Sequence, residues 1–371
     1  MFGMGDNWTV ETAADAHCVA RQLEMDDKMK LSTVLLSSAA LLVAGAAYAA
    51  DLPAKKAAPA AAPSGCAAFG AGYIAVPGGD SCLKISGYAR AQEGYTSNVA
   101  RPSTAPYSMA GSYGLQFDVK NQTEAGVVGS TIFIENNATT DANVSLGGFV
   151  AGKYDSPWDI GGGYVHTGDN MQDHSTGMKY SMPLGSTTIT LDAVNAYNSN
   201  AVGVASRPDL RIMAETAMGA VKVNLGAASH EVAAATGTAQ GSAFLGKVSF
   251  DAGVASFMGY AAYSNGANAY VDYGSGRATS MRDSYADSSS LATGSFVAGE
   301  VDVPLGKNDS FGLYAENLKI TQDVNSYSLT QYSVSMKHTF GKGMWVRPEI
   351  WTDNENGTTT NGAVVRIERD F

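Results

Sequence analysis

The sequence has few charged residues, few cysteines and no excess of basic residues, and each shortage excludes a class of protein. Asp, Glu, Lys and Arg make up 16% of the 371 residues, well below the roughly 25% of an average soluble domain. Three cysteines are too few for a disulfide-dense scaffold. With 24 Lys and Arg against 35 Asp and Glu, the formal charge is −11. The chain therefore lacks the excess of cations with which nucleic-acid-binding proteins displace phosphate counterions, and no nucleic-acid partner is predicted.

Long apolar runs are also missing from most of the chain. Past Cys82 no run approaches the length of about 18 apolar residues that a membrane helix needs. Helical periodicity is scarce there as well. Glycine is abundant, with 42 residues, and tyrosine outnumbers phenylalanine by 18 to 12. Many Gly, Tyr, Thr, Ser and Val residues with few Glu and Lys favour β-structure over helix.

The N-terminal part contains a pattern typical of export. Lys30 supplies a positive charge, residues 31–46 form an apolar core, and Ala47-Tyr48-Ala49 is a small-x-small cleavage site. This order predicts a secretory signal peptide over residues 29–49. A single membrane anchor is the alternative, but the core is marginal in length and no stop-transfer charges follow it.

The segments around this signal have their own interpretations. Residues 1–28 are acidic near Asp26 and Asp27, and a signal peptide needs its charged start at the N-terminus, so we interpret them as upstream translation from a misplaced start codon. Cleavage after residue 49 removes three bases and six acids and leaves a formal charge of −8 instead of −11. The Ala/Pro-rich residues 50–65 suit a periplasmic linker, and one domain is expected over residues 66–371.

Two cysteines, Cys66 and Cys82, remain after cleavage, since Cys18 leaves with the leader. An even pair in an exported protein predicts a disulfide. That bond would close a loop of about 16 residues and contribute roughly 3 kcal/mol to stability.

Apolar and polar residues alternate with period two after Cys82, as they do in half-buried strands. In the first such segment, Leu83 and Ile85 share one parity, whereas Lys84, Tyr88 and Arg90 share the other. The pattern recurs around residues 113–120, 178–193, 221–227, 244–251, 332–340 and 364–371. At the end of the chain this alternation places Val365, Ile367 and Phe371 on the apolar side.

The connections between these segments alternate between short and long, which predicts 16 antiparallel strands with both chain ends on the side of the short turns. Short turns are expected near residues 121–124, 147–148, 185–186, 219–220, 251–253, 306–309 and 341–343. Longer loops are expected near residues 97–107, 135–139, 156–172, 199–207, 231–241, 266–291, 323–328 and 356–361.

This pattern predicts an all-β fold, a 16-stranded antiparallel transmembrane β-barrel with short periplasmic turns and longer extracellular loops. A sandwich would hide its apolar parity in a core, whereas here the opposite parity is rich enough in charge to line a wet lumen. Lipid forces the sheet to close, because an open edge would leave backbone amides unpaired. Sixteen strands leave an aqueous channel, and the turn and loop pattern is that of outer-membrane barrels.

Three stretches carry a family resemblance. The segment from Cys66 to Arg90 contains Gly-x-Gly-Tyr, Pro-Gly, a second Cys-Leu and Gly-Tyr-x-Arg. Leu146 to Lys153 and Val365 to Phe371 supply the other two. Together they resemble the start, the fifth strand and the end of the alphaproteobacterial (Rhizobiales-type) outer-membrane porins. The chain departs from larger relatives in its short loops near 135–139 and 323–328.

The resemblance implies a homotrimeric channel in the outer membrane of a Gram-negative bacterium. Such channels pass ions and small hydrophilic solutes by passive diffusion and need no cofactor. Their surroundings are outer-membrane lipid and lipopolysaccharide, and Phe371 would lie at the closure of the barrel. Their third loop, residues 156–172 by count, folds into the lumen and narrows it.

Charged residues around this loop are the expected constriction. The acidic side would consist of Asp155, Asp159, Asp169 and Asp173. The basic wall would consist of Lys84, Arg90, Lys120, Lys179, Arg211 and Lys222. Acids facing bases would produce a transverse field that aligns polar solutes, and the negative charge of the mature chain favours a slight cation preference. Each of these residues could instead be a solvated loop or rim residue.

Other readings of the sequence remain open. A solute-selective channel, or a structural or adhesive barrel without a pore, would show the same alternation. An outer-membrane phospholipase would need a lipid-facing Ser/His pair, for which His230 and His338 are the barrel candidates, and we expect no enzyme. His166 and His174, with Asp169 and Asp173, match no strong metal signature, and no metal is expected.

Four tyrosines on the predicted strands are expected to lie on the outer surface. Tyr88, Tyr113, Tyr180 and Tyr332 are expected at the membrane interface or at trimer contacts.

Overall fold

A computed structural model describes most of the chain after the expected linker. The described residues are 65–97, 106–159, 174–195, 206–234, 237–271, 291–322 and 325–371. The expected extension 1–28, the signal peptide 29–49 and the linker up to residue 64 lie outside them. No helix among the described residues is long and apolar enough to cross a membrane.

Almost all of the described chain is β-strand, with two short 3₁₀ helices at Cys66–Phe69 and Asn268–Tyr270. The strands are β1 Ile74–Ala75, β2 Cys82–Thr96, β3 Tyr107–Thr123, β4 Gly126–Glu135, β5 Ala138–Leu146, β6 Phe149–Asp155, β7 His174–Leu184, β8 Thr187–Val194, β9 Asp209–Met218, β10 Val221–Ala234, β11 Gly237–Asp251, β12 Ser256–Asn265, β13 Thr293–Pro304, β14 Asp309–Gln322, β15 Asn325–Gly341, β16 Met344–Glu355 and β17 Thr358–Asp370.

Strands β2 to β17 form one closed antiparallel ring. Each pairs with the next along the chain, and β17 returns to pair with β2, with Arg366 opposite Gln92. The two-residue strand β1 pairs only with the start of β2. The prediction of a 16-stranded antiparallel barrel is therefore confirmed.

The two ends of the barrel differ in their connections. The seven short turns fall where they were expected. They lie at the end of the barrel where β2 begins and β17 ends, which we call the turn side. The opposite end is the loop side. On the loop side the expectation of eight longer connections is wrong for four. Strand pairs β4–β5, β10–β11, β14–β15 and β16–β17 are separated by only two residues.

Asparagine accounts for two of these unexpectedly tight hairpins. Asn136 and Asn137 have φ of 48° and 69°, and Asn356 and Gly357 have φ of 49° and 85°. Positive φ at both central residues is the mark of a type I′ turn, whose twist matches that of the flanking strands. The strands therefore continue to the turn, and no longer loop forms.

The alternation separates the two faces of the barrel as predicted. Apolar residues such as Ile85, Ile350 and Ile367 are exposed on the outside. The opposite parity carries charges, such as Arg90, which forms an ion pair with Glu368 of β17. The outer surface is thus apolar and the inner surface is rich in polar groups.

The predicted disulfide between Cys66 and Cys82 is present, with 5.4 Å between the Cα atoms. Cys82 begins β2 on the inward parity, so the bond ties the preceding segment to the inner wall. There the ring of Tyr73 lies 5.0 Å from Nζ of Lys120. A Cβ on Gly72 would lie 3.7 Å from the Lys84 side chain, at ordinary van der Waals distance.

The chain end closes the ring by reciprocal backbone hydrogen bonds. Phe371 N–H donates to Gly87 O over 2.9 Å, and Gly87 N–H donates to Phe371 O over 3.0 Å. A Cβ on Gly87 would lie 2.2 Å from the carbonyl oxygen of Gly114 in β3. Only glycine lets β2, β3 and the chain end approach one another so closely.

Gly87→Ala is expected to lower the free energy of unfolding by about 1–3 kcal/mol, because the methyl group must displace backbone. Gly111→Ala is the matched control, since the nearest atom to its added Cβ would be 4.0 Å away. Urea titration of detergent-folded protein measures both. Equal stabilities for the two variants would contradict the close packing at the closure.

Candidate pore constriction

The segment after β6 turns into the barrel. Trp158 is only 1% exposed, and its indole N–H donates to the carbonyl oxygen of Tyr270 over 2.9 Å. A Cβ on Gly226 of β10 would lie 2.9 Å from the indole ring, so glycine allows Trp158 to lie against this wall. The start of the expected third loop thus lies inside the barrel. Asp169 and Asp173 lie outside the described residues.

Arg211 anchors the base of this loop. Its guanidinium forms an ion pair with Asp192 and donates to Ser175 Oγ over 2.8 Å and to Ser156 Oγ over 3.1 Å. Tyr154 also donates its hydroxyl to Asp192 over 2.5 Å. The side chains of Arg211 and Asp192 are both buried. Arg211 has the predicted inward parity, but it is buried against Ser156 and Ser175 and does not lie on an open wall.

Three possible metal ligands meet where the loop joins the barrel. Asp155 and His174 lie at the two ends of the loop, and Asp141 belongs to β5. His174 Nδ1 lies 3.0 Å from Asp141 Oδ1 and 3.4 Å from Asp155 Oδ1. The ligand atoms of all three residues lie within 4.8 Å of one another, close enough to hold a cation. Lys179 donates to the Asp155 carbonyl oxygen over 2.9 Å. Asp155 and Lys179, expected on opposite sides of the pore, are therefore neighbours.

A second segment, residues 266–271 after β12, also turns inward, and the sequence did not predict it. Its residues from Ala267 to Val271 are buried. Ala267, Tyr270 and Val271 of this segment, with Trp158, belong to an apolar cluster on the inner wall. The remaining members are Met213, Ala228, Ala243, Leu245, Tyr260, Ala262, Phe296, Ala298, Tyr314, Leu318, Ile320, Tyr327 and Leu329.

The opposite inner wall carries a ladder of bases that the sequence analysis named only in part. Arg90 of β2 lies near Arg366 of β17, which pairs directly with Arg347 of β16. Arg366 donates to Gln92 Oε1 over 2.8 and 3.0 Å. Lys337 of β15 lies beside Arg347. Alternation alone would have found Arg366, since it lies between the outward Val365 and Ile367.

Tyr88 also belongs to this wall, so the expectation that it faces lipid or a trimer contact is wrong. Its hydroxyl hydrogen-bonds to Glu135, and the Arg90 guanidinium lies 4.3 Å from its ring centroid. Tyr88 shares the parity of Lys84 and Arg90, which is why it points inward. By contrast, Tyr113, Tyr180 and Tyr332 are exposed on the outside.

Acids and bases are interleaved along the described wall. Arg90 forms an ion pair with Glu368. Glu349 of β16 attracts the charge of Arg366 on the neighbouring strand β17. Asp159, which is exposed, acts electrostatically on Lys247 of β11, a base that the sequence analysis did not name.

The other expected wall bases keep the inward parity. Lys222 is exposed, whereas Lys84 and Lys120 lie beside the disulfide-tethered segment. The interior thus has an apolar cluster on one side, where Lys222 and Lys247 are also present, and a ladder of charged side chains on the other. Such a surface can replace part of the hydration shell of an ion or small polar solute.

Comparison with known proteins identifies similar chains. A family model described as Porin subfamily matches residues 54–367. "Putative outer membrane protein y4fJ" of Sinorhizobium fredii is 35% identical over 155 residues, which cover 36% of this chain and 45% of that protein. Porin Omp2a of Brucella ovis is 32% identical over 147 residues, covering 39% and 42%. The chain thus spans less than half the length of these curated relatives.

Among solved structures, the in-vitro folded trimer form of OmpT, an outer membrane protein of Vibrio cholerae, has a similar fold. The TM-score is 0.58 at 9% sequence identity, and the match covers 79% of this chain and all of that one. At this identity the similarity concerns the fold alone.

Arg211→Met is expected to destabilise the protein by about 3–5 kcal/mol, because Asp192 would remain buried without its cation. Lys222→Met removes the same charge from an exposed inward position and should change stability by less than about 0.5 kcal/mol. Urea titration in detergent compares the two. Similar losses in both variants would show that the buried ion pair does not anchor the loop base.

Proposed function

This chain belongs to the porin family whose model spans residues 54–367, and we propose that it is an outer-membrane channel for the passive diffusion of ions and small hydrophilic solutes. One observation carries the proposal. A closed 16-stranded barrel has an apolar outer face and a charged inner face. Only a surrounding of lipid with an aqueous interior satisfies both faces.

Passage through such a channel needs no energy source and no chemical step. Side chains of the charged wall, such as Arg90 and Arg366, would take the place of some of the water molecules around a passing solute. Water would contact these side chains again once the solute has passed. The interleaved acids keep the local charge small, so that neither sign of ion is trapped. The Brucella relative is named a porin, and we propose no enzymatic activity for this chain.

The rest of the assignment follows from the same proposal. Residues 29–49 would direct export, residues 50–65 would form a periplasmic linker, and residues 66–371 would form the barrel in the outer membrane. Outer-membrane lipid and lipopolysaccharide would surround it. The trimer form of the Vibrio cholerae protein supports a homotrimer for this chain too.

Planar-bilayer recording of the purified, refolded protein under a salt gradient tests the channel. We expect stepwise current increases that scale with bath conductivity, since water fills the path. Protein that folds, as judged by heat-modifiable migration, but gives no current would refute a channel. Such a result would favour a structural or adhesive barrel. Block that saturates with one solute would identify a solute-selective channel instead.

The ion preference should depend on the charges that face the lumen. Asp159→Asn is expected to shift the reversal potential toward anion preference, because a negative charge near Lys247 is lost. Arg90→Gln should shift it toward cations, because Glu368 loses its partner. Glu93→Gln is the control, since Glu93 shares the outward parity of Val365, its strand partner. Asp159 would be dismissed as a constriction residue by a reversal potential equal to that of the control.

A further inference from the structure

The two inward segments, residues 156–159 after β6 and residues 266–271 after β12, are joined to one another. The indole N–H of Trp158 donates to the Tyr270 carbonyl oxygen over 2.9 Å. Their rings also meet edge to face, with centroids 5.1 Å apart and planes at 75°. Both side chains are fully buried. Neither segment can therefore leave the wall without exposing an aromatic side chain of the other.

A buried carboxylate fixes the second segment to the barrel. Tyr270 donates its hydroxyl to Asp209 Oδ2 over 2.7 Å, and His230 Nδ1 lies 2.9 Å from Asp209 Oδ1. Asp209 is 0% exposed, so its charge depends on such partners. Asp209 belongs to β9 and His230 to β10. The same contacts turn His230 into the interior, away from the lipid-facing position that a phospholipase would need.

A glycine in β13 makes room for the segment on its other side. A Cβ on Gly294 would lie 2.5 Å from Val271 Cγ2 and 2.7 Å from Asn268 Oδ1. Asn268 in turn accepts a hydrogen bond from Ser264 Oγ over 2.6 Å. The segment is thus held against the wall formed by β9 to β13 by the hydrogen bonds of Tyr270 and Asn268 and by the close packing of Asn268 and Val271 on Gly294.

We propose that residues 266–271 are a second constriction element, locked to the start of the third loop through Trp158 and Tyr270. This proposal rests on the proposed channel function. Because the segment fills the side of the lumen near β9 to β13, the open path follows the charged wall of β2, β3 and β15 to β17. Tyr270 and Asp209 are positioning residues: they hold the element in place and need not touch the solute.

Hydrogen exchange tests the lock without requiring a current. Tyr270→Phe removes only the hydroxyl that donates to Asp209. Loss of a hydrogen bond to a charged group should speed amide exchange in residues 266–271 of detergent-folded protein by at least about tenfold. Tyr263→Phe is the matched control, because Tyr263 of β12 is exposed on the outer face. Equal exchange in the two variants overturns the anchoring of the segment by Asp209, and with it the proposed element.

Single-channel recording tests whether the lock narrows the pore. Tyr270→Phe should raise the open-channel conductance above that of the parent and of Tyr263→Phe. Gly294→Ala should do the same by displacing Val271 and Asn268. Its control is Gly299→Ala in the same strand, where the nearest atom to an added Cβ is 3.9 Å away.

The outcomes separate this proposal from the channel function itself. Faster exchange together with higher conductance supports the second constriction element. A conducting parent whose Tyr270→Phe and Gly294→Ala variants keep the parental conductance overturns it, even if exchange is faster. A folded parent that carries no current overturns the proposed function, and the narrowing role falls with it.

Discussion

Backbone hydrogen bonding is the constraint on which the structure depends. A hydrocarbon surrounding offers no partner for an amide N–H or a carbonyl, so each strand must find both neighbours within the sheet. The ring of β2 to β17 meets this requirement. The reciprocal bonds between Phe371 and Gly87 extend the closing pair to the last residue. An offset at this closure would leave backbone N–H and C=O groups of the closing strands unpaired.

Closure gives the barrel two faces, but it does not make its interior uniform. The inner wall from β9 to β14, together with Tyr327 and Leu329 of β15, is covered by an apolar cluster into which two loop segments insert. The wall formed by β2, β3 and β15 to β17 keeps its charged side chains uncovered by that cluster. The pore of a barrel with many strands can thus be narrow although the ring of strands is wide, because inserted chain segments occupy part of its cross-section.

Local sequence patterns predicted the strand number, the turn positions and the parity of most side chains. Each of these depends on neighbours along the chain or on the period of two. The hairpin at Asn136 and Asn137 was missed because asparagine tolerates positive φ without requiring it. Arg211 had the predicted parity, but its partners Asp192 and Ser156 come from other parts of the chain. The same holds for Tyr270, whose burial depends on Trp158, more than a hundred residues away.

The two-residue hairpins have a consequence for the vulnerability of the loop side. Proteases bind an extended stretch of several residues, and exposed loop tips are where they usually cut. A type I′ turn such as Asn356-Gly357 provides no such stretch, because the chain on either side of it is already hydrogen-bonded in the sheet. Around these hairpins the rim of the barrel is intrinsically resistant to cleavage, and it gives a binding antibody little protruding chain to recognise.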